Sequence, residues 1–277
     1  MTPRVLVTGA AGMLGRDVAA AAAGRGWACA ALTHAELDIT DAAAVRTTVR
    51  DRAPQVIFNC AAWTRVDDAE EHEAAALALN ADGPGNLAAA ARDAGARLIH
   101  LSTDYVFDGR ARRPYVESDP TGPTSAYGRT KLAGEHAVLS ASPEHLVVRT
   151  AWLFGAGRAN FVTFVLDCAR SGRPIPAIED QFGCPTYSVH LAHKLLDLAF
   201  GDRGGVFHEA AASHCSRLEF SQAILAAAGL RATITPTLRA TQAADRPAWS
   251  VLTSERDDEP LPSWREGLAA FLAEAPR

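Results

Sequence analysis

The chain is poor in the residues that build disulfide frameworks and metal sites. Its 277 residues include only Cys29, Cys60, Cys168, Cys184 and Cys215, with no C-x-x-C pair among them. An odd count without patterned spacing indicates neither a disulfide scaffold nor a zinc site. It reads instead as reduced, mostly buried thiols in a cytoplasmic protein. No metal site is expected: His190 and His193 have helical spacing, but no acidic or cysteine ligand stands beside them. Long apolar runs are also missing. The alanine-rich stretch from Val18 to Ala23 is far too short to span a bilayer, so no membrane partner is expected. A signal peptide does not fit, because Arg4-Val5-Leu6-Val7-Thr8 already reads as a strand entering a turn. Excess positive charge is absent too. The net charge is -5, and the densest basic group (Arg110, Arg112, Arg113) reads as a solvated loop, so nucleic acid is not an expected partner.

What is present is an alternation. Short apolar runs at Val5–Thr8, Ala28–Leu32, Val56–Cys60, Arg97–Ser102 and Leu146–Thr150 read as strands. Helical patterns lie between them at Leu14–Gly24, Asp41–Asp51, Ala69–Gly95 (broken near Pro84) and Ser125–Ser140. Continuous apolar strands separated by helices predict an α/β fold, with a Rossmann-type, doubly wound parallel sheet covered on both faces. After Trp152 the rhythm changes. Helices at Asn160–Ser171, Val189–Phe200 and Arg217–Ala228 alternate with Pro/Gly-rich passages and one short strand near Val206–Glu209, and the end, with Pro236, Pro247, Pro260 and Pro262, reads as loop-rich. The expected division is a dinucleotide-binding domain over 1–151, joined by about 187–210. A smaller substrate lobe takes 152–186 and 211–277.

Gly9-x-x-Gly12-x-x-Gly15 follows the first strand and opens a helix. Glycines there allow a tight turn, a close backbone approach to a pyrophosphate and close helix packing, and the helix N-terminus offers free N–H groups to the anion. This points to NADPH or NADH. Where an NAD enzyme would place an acidic residue at the end of the second strand, this chain has Thr33 and His34. With Arg16, they lean the expectation towards NADPH. Asp38 is placed under the adenine, and Thr40 as cap of the next helix. Ser102-Thr103-Asp104 ends the fourth strand, the edge where open α/β sheets bind ligands. Thr103 is suited to hydrogen-bond a reacting carbonyl oxygen. Tyr127 and Lys131, four residues apart on one helix face, are suited to proton transfer. A free tyrosine titrates near ~10, and a neighbouring ammonium favours its phenolate.

These segments, with Asn59 to Thr64, Tyr127 to Glu135 (YGRTKLAGE), Arg149 to Leu153 and Asp180 to Thr186, resemble the extended short-chain dehydrogenase/reductase superfamily. Within it they are most similar to the dTDP-4-dehydrorhamnose reductase family. The resemblance implies that Tyr127 is the catalytic acid, Lys131 its partner, and that Thr103 and Asp104 contact the sugar. It implies cofactor contacts at Gly9, Gly12, Met13, Leu14, Thr33, Asp38, Ile39, Ala62, Trp63 and Thr64, and at Tyr127 and Lys131, with Lys131 on the nicotinamide ribose. It also implies a deoxysugar wall at Trp152 and a diphosphate contact at Arg246, where a structural salt bridge is the alternative. The implied partner is a dTDP-sugar, and the implied reaction reduces the C4 ketone of dTDP-4-dehydro-β-L-rhamnose to dTDP-L-rhamnose. Related dehydratases hold a glutamate immediately after Thr-Asp; Tyr105 occupies that position here, which disfavours dehydration. Alternatives are a ketoreductase for another dTDP-deoxysugar, or a non-catalytic NADP-binding regulatory subunit. A monomer or homodimer is expected, and nothing in the sequence calls for Mg²⁺. Arg65 and the stretch from Val251 to Arg256 depart from the family pattern.

Overall fold

The structure is a computed structural model that describes residues 2–239, 242–256 and 259–274. In chain order the first half runs β1 (Arg4–Thr8), α1 (Met13–Gly24), β2 (Ala28–Leu32), α2 (Ala42–Arg52), β3 (Val56–Asn59), α3 (Val66–Glu71), α4 (Glu73–Leu77), a π turn (Ala78–Asp82), α5 (Gly83–Asp93), β4 (Arg97–Thr103), α6 (Ala126–Ala141) and β5 (Leu146–Thr150). The second half adds β6 (Leu153–Phe154), α7 (Phe161–Arg170), β7 (Ile175–Ile178), β8 (Phe182–Gly183), β9 (Thr186–Tyr187), α8 (Ser188–Leu198), β10 (Gly205–His208), β11 (Cys215–Ser216), α9 (Arg217–Ala228), β12 (Ile234–Thr237) and α10 (Trp264–Glu274).

Six strands form one parallel sheet in the order β10-β5-β4-β3-β1-β2. Alternation along each strand feeds two cores. Val5, Val7 and Phe58 face α1 and α8, whereas Leu6, Ile57 and Val147 face α2, α5 and α6. The chain leaves β1 for β2 on one side and returns to β3 on the other. That reversal opens a crevice at the C-terminal ends of the strands. A third apolar cluster, including Phe154, Phe220, Trp264 and Phe271, holds the second-half elements together above that edge.

Three expectations are corrected. Asp41, not Thr40, caps α2: its carboxylate accepts from Ala43 N and Ala44 N at 2.9 and 3.0 Å. Thr40 instead donates its hydroxyl to Asp38 at 2.8 Å. The helical stretch after Ala69 breaks first at His72, which was not expected, and again at the π turn just before Pro84. The proline sits in the first turn of α5, directly after the π turn. The end of the chain is not all loop, because α10 packs Trp264, Leu268 and Phe271 into the third cluster. Ser263 and Glu266 cap each other across its first turn, a Ser-x-x-Glu signature that was readable in the sequence.

Candidate active site

The glycine turn after β1 is a cradle that side chains would fill. Gly9 has φ +68, and a Cβ there would lie 2.6 Å from the Ala61 amide; one on Gly15 would lie 2.4 Å from the Gly9 carbonyl. Helix α1 starts with no side-chain cap and no acidic residue in its first turn, so its N–H groups are open to an anion. This backbone suits a dinucleotide pyrophosphate. Met13 lies in the same turn, while the Leu14 side chain is buried in the core and leaves only its amide for a ligand. Ile39 is likewise core, packed with Leu87 and Val45. Ala62, Trp63 and Thr64 follow β3. They are pinned by Asn80 of the π turn, which accepts from Trp63 N at 2.8 Å and donates to Trp63 O at 3.2 Å.

The groups expected to receive a 2′-phosphate are largely committed elsewhere. Thr33 donates its amide and its hydroxyl to Glu36 Oε2, both at 2.8 Å. Arg16 turns to the Ala156 carbonyl and to Asp17. Asp38 accepts from Thr40 N at 2.9 Å, and these Thr40 bonds hold its carboxyl below the usual range.

At the end of β4 the chain makes a single 3₁₀ turn, Asp104–Val106, and Gly128 of α6 packs directly on it. A Cβ on Gly128 would lie 2.2 Å from the Tyr105 carbonyl. This close approach sets Tyr127 beside Thr103 and edge-on to Tyr105 at 5.8 Å between ring centroids. Burial pushes the Tyr127 phenol up; Thr103 opposes this, while Asp104 and Tyr105 add to it. The expected depression by Lys131 is not found. The Lys131 ammonium is directed to the Leu101 carbonyl at 2.5 Å and lies 3.4 Å from His100 Nε2. Burial brings Lys131 down to about 8, with Glu135 opposing. Tyr127 is therefore held as the acid form that a proton donor requires.

Asp104 accepts from the Thr103 hydroxyl at 3.0 Å and from Ser250 Oγ at 2.5 Å. Burial nonetheless raises its carboxyl to about 6, above the ordinary 3.8. The native state thus binds this proton more tightly than the unfolded chain does. Stability from this group is full below about pH 4 and falls by about 3 kcal/mol as pH rises to about 6. Asp104→Asn is expected to flatten that decline. Denaturant midpoints of both proteins near pH 4 and near pH 7 measure it, and parallel pH dependences would refute the assignment.

The second-half elements close the crevice. Trp152 takes a left-handed backbone, φ +45, and its indole N–H has no partner among the described residues. The Arg217 guanidinium lies 3.5 Å from its ring centroid. Burial lowers Arg217 to about 10, with Tyr105 and Asp104 opposing. Gln181 donates to the Tyr105 hydroxyl at 3.2 Å. Arg246 makes the salt bridge that was the alternative to a diphosphate contact: it grips Asp67 at 2.7 and 2.8 Å. It also lines a cleft of about 580 Å³ with Asn160, Phe161, Gln181, Arg217 and Gln242. Arg217, Gln181 and Ser250 had no role assigned from sequence. A Ser-x-x-Glu box at Ser216 marks the start of α9, but not where Arg217 points. A larger cleft, about 750 Å³ and including Arg4, Arg46 and Arg50, lies at the opposite end of the sheet and holds none of these groups.

A phosphate cradle at the switch point of a parallel sheet, beside a Thr–Tyr–Lys group, defines a Rossmann-type reductase of the extended short-chain class. The description "RmlD substrate binding domain" matches residues 3–276, and the chain belongs to that family. It is 44% identical to the dTDP-4-dehydrorhamnose reductase of Streptomyces griseus, with 96% of this chain and 92% of the relative covered. It is 43% identical to the dTDP-4-keto-6-deoxy-D-glucose reductase of Streptomyces niveus, with 96% and 91% covered. The structure of the Bacillus anthracis dTDP-4-dehydrorhamnose reductase in complex with NADP superposes with a TM-score of 0.96. That protein is 33% identical, over 99% of this chain and all of the other. A UDP-glucose 4-epimerase from Thermus thermophilus, 22% identical with a TM-score of 0.81, shares the fold alone.

Proposed function

We propose that this protein reduces the C4 ketone of dTDP-4-dehydro-β-L-rhamnose to dTDP-L-rhamnose, using NADPH or NADH. The observation that carries the reading is the junction of β4 and α6, where Thr103, Asp104 and Tyr127 converge at the mouth of the cradle. The bound nicotinamide supplies the hydride. Tyr127 gives its proton to the O4 oxygen as charge develops there, and Thr103 orients that oxygen. The Asp104–Thr103–Tyr127 chain offers a route for the proton's return. Trp152 walls the deoxysugar, and Arg217 and Arg246 face the diphosphate. The workplace we propose is the cytoplasm, as a monomer or homodimer.

The test is NADPH consumption by the purified protein. Turnover of the epimerised dTDP-4-dehydro-β-L-rhamnose should exceed that of dTDP-4-keto-6-deoxy-D-glucose in kcat/KM, with NADH run alongside. The Streptomyces niveus relative favours the second sugar as the competing reading. Cofactor binding without consumption of either sugar would favour a regulatory subunit instead. Arg246→Met is expected to raise KM by roughly tenfold or more with a smaller change in kcat, since a charged hydrogen bond is worth about 1.5–3 kcal/mol. An unchanged KM would leave Arg246 with its salt bridge alone.

A further inference from the structure

We propose that His100 is a positioning residue for Lys131: Asn59 locks it in one tautomer, so that it turns an N–H towards the lysine amine and primes that amine to give up its proton. Hydrogen-bond capacity fixes the tautomer. Asn59 Oδ1 accepts from the Ala61 backbone N–H at 3.1 Å and from the Thr8 hydroxyl at 2.7 Å. The backbone donor fixes which end of the amide is oxygen. The Asn59 NH₂ therefore faces His100 Nδ1, 3.0 Å away, and that nitrogen must accept. A neutral imidazole with a bare Nδ1 carries its hydrogen on Nε2, which is the nitrogen 3.4 Å from Lys131 Nζ. An ammonium has only donors, so it meets an N–H head-on; the neutral amine has a lone pair that can accept it.

The surroundings agree. His100 is fully buried, and burial and the Lys131 charge hold it neutral. The other groups facing Lys131 are Glu135 of its own helix and Cys60 beyond β3, with Tyr127 one turn back. Glu135 is already bound to Arg149 and Ser102, and burial raises the Cys60 thiol to about 12, which keeps it uncharged. Among the described residues, the sole strong acceptor at the amine is the Leu101 carbonyl. On the ketone-reduction reading, from which the proposal takes its consequence, protonated Lys131 would hold the nicotinamide ribose, so His100 sets the alkaline pH at which turnover fails.

The test has arms that need no substrate. Two-bond ¹H–¹⁵N NMR of the imidazole should show Nε2–H and a bare Nδ1 throughout the neutral range; a bare Nε2 overturns the proposal. Asn59→Asp gives Nδ1–H an acceptor, flips the tautomer and offers Nε2 to the ammonium. The Lys131 titration, followed by NMR of labelled lysine, should then move up by about one unit, tenfold in proton affinity. The introduced carboxylate also acts by its charge alone, so the shift is repeated in His100→Met, where it should shrink by at least half. Equal shifts in both backgrounds overturn the proposal even if the tautomer is as stated. In Asn59→Asp the alkaline limb of kcat should follow the lysine. Wild type that turns over no keto sugar would defeat the ketone-reduction reading and leave the NMR arms to decide this one.

Discussion

Tyr127→Phe should lose roughly 10²- to 10⁴-fold in kcat, the range expected when a positioned general acid is removed. The phenyl ring keeps the edge-on packing against Tyr105, and the Gly128 contact that places the helix is untouched. Affinity for the dinucleotide should therefore stay close to wild type, because the cradle that receives it is backbone. Steady-state turnover and cofactor titration on one preparation separate the two effects. Near-normal turnover would mean that the proton comes from elsewhere, with Asp104 through Thr103 the next candidate, since its carboxyl titrates near neutrality.

The second large effect is on stability. Glu135 and Arg149 form a bidentate ion pair at 2.9 and 2.7 Å, with side chains only 2% and 5% exposed, and Ser102 donates to the same carboxylate. Glu135→Ala strands the guanidinium in the interior and should cost about 3–5 kcal/mol. That is a large share of the roughly 5–15 kcal/mol that holds a typical protein folded. Removing both charges together, Glu135→Leu with Arg149→Met, should cost clearly less, because no uncompensated ion is left behind. Urea denaturation of the single and double variants measures this. A single-variant loss under about 1 kcal/mol would mean that water reaches Arg149.

Much of this was legible in the sequence because it rests on local patterns. Apolar runs of four to seven residues between helical stretches are enough for a parallel sheet, and the strands from Val5 to Thr150 appear in the structure within a residue or two. The glycine turn was readable because its spacing reflects backbone crowding. What was not readable depends on distant contacts. Arg217 lies on Trp152 only because α9 is laid across the crevice by the third apolar cluster. Ser250 reaches Asp104 across 146 positions of chain. Lys131 was expected to act on Tyr127 from helical spacing alone. The deciding neighbours, His100 and the Leu101 carbonyl, come from β4, which helical spacing does not register. Thr33 is the local counterpart: it was read as open to a 2′-phosphate, whereas its hydroxyl donates to Glu36, only three residues on.

The order of the sheet has a consequence for how the chain is made. β10 lies beside β5, yet 54 residues separate Thr150 from Gly205, and the segments of the upper cluster occupy most of that span. Until a ribosome has released them, β5 is an open edge of Leu146, Val147 and Val148, side chains with no exposure in the finished molecule. Such an edge is a template for pairing with another chain. The nascent protein thus carries an unpaired strand edge through about a fifth of its synthesis, and a product stopped before Gly205 keeps that edge permanently.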